Sequence, residues 1–101
     1  MAARAVADVA IHTGQMTLAE AAVFYEREAG MPPAAAMGEA VKNSMFPGAA
    51  MMYLSGTNAI HALRGELAVR QGAAFSLRAF HDRFLSYGAV PVVLIAEDML
   101  A

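Results

Sequence analysis

Cysteine and tryptophan are both missing from this 101-residue chain. Without cysteine there is no disulfide, no thiol nucleophile and no cysteine zinc site, and a reducing compartment, the cytoplasm, is the expected setting. Basic charge is sparse as well: seven Lys and Arg against nine Asp and Glu give a formal net charge of -2, with a pI near 5.8. The cations are scattered and form no stripe interleaved with aromatics, so no nucleic-acid partner is expected. Long apolar runs are lacking too. The longest, Ala89 to Ala96, falls far short of the roughly 20 residues that cross a bilayer. Asp8 and His12 interrupt what would be a signal-peptide core near the start. The chain is therefore expected to be soluble, unprocessed and without a membrane partner. It holds no His-Glu-x-x-His, no glycine-rich phosphate loop and no nucleophile elbow.

What the chain has in plenty is apolar side chains, 58% of its residues, above the 45 to 50% or so of an ordinary soluble domain. The length suits one domain, residues 1–101, and a domain this small covers only about two thirds of the surface of its extended chain. An apolar surplus should then leave an uncovered patch, of the kind that marks an interface. A homo-oligomer is one expectation, and a piece that sits on a larger body is the other.

Punctuation along the chain predicts an all-α fold of five to six helices, an irregular bundle with one long central helix over about 48–71. Met1 to Thr13 is alanine-rich and unbroken until Gly14. Thr17 with Glu20 three residues on is a capping-box signature, and Gly30 supplies the stop, giving a helix from Thr17 to Ala29. Pro32 and Pro33 open a segment over Ala34 to Met45, which Pro47 closes. The long helix lies between Pro47 and Gly72, residues suited to a helix start and stop. Met52, Tyr53, Gly56, Ile60, Leu63 and Leu67 recur at steps that build one buried stripe, with Gly56 placed to allow close approach of another helix. Ser76 can cap a helix from Leu77 to Tyr87, and Pro91 can begin one from Val92 to Leu100, although the run Val92 to Ile95 suits a short strand equally well.

Few side chains point to chemistry. Arg4, Asp8 and His12 stand at steps of four on one helix face, either a solvated face or a polar stripe turned toward a site. His12 with Asp8 supplies two possible zinc ligands, but a third is not evident. His81 and Asp82 are helix neighbours that diverge by roughly 100° and pair poorly. Tyr53 is the better candidate, since a phenol can donate a hydrogen bond to a developing oxyanion; the plainer reading is core tyrosine. Tyr53, Ile60 and Arg64 project almost in line, and a guanidinium on an apolar face needs a carboxylate, helix-end carbonyls or an anionic ligand beside it.

Taken in order, Arg4, Asp8 and His12, then Glu39 and Lys42 ahead of Pro47-Gly48, Tyr53 with Gly56, Leu63-Arg64, and the closing Phe75-x-Leu-Arg-Ala-Phe-His-Asp-x-x-Leu-x-x-Gly-x-x-Pro form a specific series. From Arg4 to about Leu94 it resembles the C-terminal region of the bacterial domain of unknown function family numbered 885. That family comprises long, mostly helical proteins similar to zinc metallopeptidases, with a His-Glu-led metal motif upstream of the part matched here. The resemblance implies that this chain corresponds to the final helices, one wall of a substrate cleft, with Tyr53, His12 and Arg64 contributing to substrate or oxyanion binding. Zinc belongs to the full-length family by resemblance; no position here matches the metal motif, so no cofactor is expected in this chain. The partner is then the missing N-terminal body or a second copy. Some positions depart from the family pattern: Ala10 where glycine is usual, Met16 for tryptophan, Asn43 for an aromatic and Ala49 for glutamine. Peptidase activity from this polypeptide alone is not expected, and a stand-alone oligomerisation or binding module is the alternative.

Overall fold

The computed structural model describes residues 1–101 and is helical throughout, with no strand. Six helices follow in order: α1 (Ala2–His12), α2 (Leu18–Ala29), α3 (Pro33–Met45), α4 (Ala49–Gln71), α5 (Leu77–Ser86) and α6 (Val92–Leu100), with a 3-10 turn over Gly72–Ala74. Two compact units are distinguished, Met1–Ser55 and Gly56–Ala101, and the division falls inside α4.

In the first unit, α2 packs along α3 and α1 lies against both. The capping box that starts α2 is fully formed: the Glu20 amide donates to Thr17 Oγ1 at 3.1 Å, and the Thr17 amide donates to Glu20 Oε1 at 3.3 Å. Gly30 ends the helix at φ +67°, a left-handed conformation that favours glycine. Pro33 occupies the first turn of α3, where its missing N–H costs nothing. The core these helices share is made of Ala7, Ala21, Ala22, Ala36 and Ala40 closed around Tyr25, with Phe24, Met16 and Met31 at its edge. Methyl side chains let helix axes come close, so Tyr25 is the single bulky side chain in this core.

The second unit is built from larger residues. Leu63, Leu67, Phe80, Ile95 and Met99 form its core, flanked by Ile60, Phe75, Phe84 and Tyr87. Ser76 caps α5 by accepting the Ala79 amide at 3.2 Å. Arg70 donates to the Leu100 carbonyl at the end of α6 at 2.7 Å and to Glu66 at 2.8 Å, so one guanidinium satisfies a free helix-end acceptor and a carboxylate. The run from Val92 to Ile95 belongs to α6 and does not form a strand.

The buried stripe expected along α4 is only partly present. Leu63 and Leu67 are buried and Ile60 half-buried, but Met52 and Tyr53 are exposed, Tyr53 at 64%. Gly56 does not mark a close approach either, since a Cβ built there meets no atom within 4 Å. A three-to-four residue apolar spacing records a continuous face, but burial depends on whether other segments cover its whole length.

Candidate functional site

The polar residues of α1 organise the corner where α3 gives way to α4. Asp8 is 1% exposed, so it does not lie on a solvated face. Its Oδ1 accepts the Gly48 amide at 3.0 Å and its Oδ2 accepts the Met51 amide at 3.3 Å. These amides belong to the start of α4, where the first N–H groups of a helix have no internal partner and the helix dipole favours a negative charge. A carboxylate from one helix therefore caps another. Gly48 meets it with φ +83°, which a side chain would strain.

His12, one turn on from Asp8, serves the other side of the same corner. Its Nε2 stands 2.9 Å from the Asn43 carbonyl oxygen and 3.6 Å from Asp8 Oδ1. A carbonyl only accepts, so Nε2 carries the proton and donates to it. That carbonyl also receives the Phe46 amide at 3.4 Å as α3 ends. Asp8 and His12 thus hold the start of α4 and the end of α3 from a single helix face.

Asn43 continues inward. Its carboxamide donates to the phenol oxygen of Tyr25, which is wholly buried. Burial, and then the negative charge of Glu39, raise the Tyr25 phenol above its ordinary pKa. Glu39 is itself held by Arg4, whose Nε and Nη2 donate to its two carboxylate oxygens at 3.1 and 2.8 Å. Of the trio on α1, only His12 and Asp8 stand together along the helix as the spacing allowed, and Arg4 does not join them. Arg4 reaches across to α3, Asp8 to α4, and His12 to both the α3 terminus and Asp8.

Above this network lies a small groove lined by Arg4, Glu39, Lys42, Asn43, Phe46 and Tyr53, with Ala49 and Ala50 below. Of the sequence-predicted site residues, Tyr53 stands in the groove with its ring exposed, and His12 supports the groove by holding Asn43. Arg64 is half-buried on α4 within the second unit and is not among the groove residues. Asn43 and Tyr25 are the members that spacing did not single out. The i, i+4 relation of Glu39 and Asn43 on α3 was the available signal, since it puts both on one helix face. No group of three or more His, Asp or Glu side chains is placed to hold a metal ion, and no helix is long and apolar enough to cross a membrane.

The class defined by this fold and groove is an all-α polypeptide that displays a cationic and aromatic groove braced by a buried polar network. Residues 1–99 match the family described as "Bacterial protein of unknown function (DUF885)", and the chain belongs to that family. No curated protein and no solved structure matches it.

Proposed function

We propose that this chain is the helical C-terminal portion of a metallopeptidase-like protein, lining one wall of a substrate cleft and inactive by itself. The observation that carries the reading is the groove at the α3–α4 corner, where an exposed phenol, a lysine and an arginine sit on a scaffold pinned by Asp8 and His12. Such a surface binds and orients; the metal and the general base belong to another part of the protein. Tyr53 is the residue that meets substrate. His12 acts through Asn43, and Arg64 is assigned to substrate binding by family resemblance. NMR titration of the chain with short peptides, run beside a zinc-supplemented hydrolysis assay, tests this. Shifts at Tyr53 and Asn43 without turnover are expected. Zinc-dependent turnover by the chain alone, or peptides that leave those residues unmoved, overturns it.

A second reading, a helical oligomerisation module, is favoured by the apolar side chains left in solvent, among them Met45, Phe46 and Met52, and Val69 at 84% exposure. It requires a defined oligomer by sedimentation at micromolar concentration that Tyr53→Phe leaves intact. A monomer under those conditions removes it.

A further inference from the structure

We infer that the α3–α4 groove receives a carboxylate attached to an apolar body, and, resting here on the cleft reading, that its source is the free C-terminus of a peptide. The charges decide the sign of the ligand. Arg4 and Glu39 are bound to each other through two hydrogen bonds and cancel. Asp8 is buried outside the groove lining, with its two oxygens engaged by the Gly48 and Met51 amides, so it is not a group a ligand in the groove would touch. Lys42 is exposed and is held by no carboxylate, so among the residues that line the groove one positive charge is left without a partner.

The shape of the remaining wall decides what carries that anion. Phe46 and Tyr53 present exposed rings in the groove, 57% and 64% accessible, and aromatic faces left in water gain most by covering an apolar group. The Tyr53 hydroxyl adds a neutral donor next to them. A single point-like ammonium with one phenol donor matches a monoanion, and the one guanidinium here is occupied by Glu39, so no second cation is free to meet a dianion. A carboxylate beside an aromatic or aliphatic side chain satisfies both halves of the groove at once.

Calorimetric titration of the 101-residue chain with N-acetyl-Phe-Phe, its C-terminal amide and benzoate tests the inference. The peptide acid should bind about tenfold more tightly than the amide, the worth of one charge-assisted hydrogen bond. Lys42→Gln should reduce the acid to the level of the amide while leaving the amide unchanged, and Lys42→Arg should restore the difference. Circular dichroism should show both variants folded, since Lys42 lies in solvent. Equal binding of acid and amide, or no effect of Lys42→Gln, overturns the carboxylate assignment while leaving the cleft reading standing. Benzoate binding as tightly as the peptide acid overturns the peptide source.

Discussion

The two units of the chain solve the packing problem with opposite materials. The first closes a core of alanine methyls around one tyrosine and relies on polar bonds that run from Arg4, His12 and Asp8 on α1 to Glu39, Asn43 and the start of α4 respectively. The second closes leucine, isoleucine, methionine and phenylalanine side chains on one another, and its polar bonds lie at exposed positions such as Arg70 with Glu66. Alanine buries little area per residue, so hydrophobic transfer stabilises the first core less and leaves its geometry to hydrogen bonds. A core of bulky side chains gains more from burial and is less tied to one arrangement. Rigid geometry is what a binding groove needs, and the groove is in the unit with the smaller side chains.

The contrast can be broken most sharply at Tyr25. Tyr25→Ala should cost about 3–5 kcal/mol, because it empties the centre of a core that has no second large residue and orphans the Asn43 carboxamide. Urea denaturation measures this, and a loss below about 1 kcal/mol would show that the alanine core stands without it. Asp8→Ala comes next, at about 2–3 kcal/mol, since two amides at the start of α4 lose a charged acceptor. Faster hydrogen exchange at Gly48 and Met51 should accompany the loss. Exchange unchanged at those amides would remove Asp8 as the cap.

Ala36→Leu and Met99→Leu compare the cores directly. The first inserts volume between closely approaching helices and should cost about 1–3 kcal/mol, whereas the second replaces one large flexible residue by another and should stay under about 1.5 kcal/mol. Equal costs would erase the distinction. The smallest effect is in pH dependence. The Tyr25 phenol is raised when folded, so the native state holds its proton more firmly than the unfolded chain. Its contribution is complete below the ordinary phenol value of about 10 and is lost as pH rises through the raised value. Stability should therefore fall in alkaline solution, and Tyr25→Phe should flatten that fall in a pH series of melting temperatures.

Helix positions were largely legible in the sequence because their signals are local. Thr17 with Glu20, Pro33, Ser76 and Gly30 act within one turn of themselves, and each does in the structure what its chemistry requires. The face of α4 was not legible in the same way. Met52 and Tyr53 fall in the same recurring apolar pattern as Leu63 and Leu67, yet the first two lie in water and the last two are buried. Asp8 was ambiguous for a related reason. Its i, i+4 neighbours Arg4 and His12 suit a solvated face, and although His12 does stand beside it, its hydrogen-bond donors lie 40 and 43 residues away. Asn43 stood out only as a departure from a commoner aromatic, and it proves to link Tyr25, through its carboxamide, to the corner, through its backbone carbonyl.

The reach of Asp8 also bears on how the chain is made. During synthesis its carboxylate leaves the ribosome well before Gly48 and Met51 do, since it is bonded to amides 40 and 43 residues downstream. Until those amides emerge, the Asp8 carboxylate lacks the two backbone donors that accompany its burial, and water takes their place. The corner that braces the groove is therefore complete only once the first turn of α4 has been made.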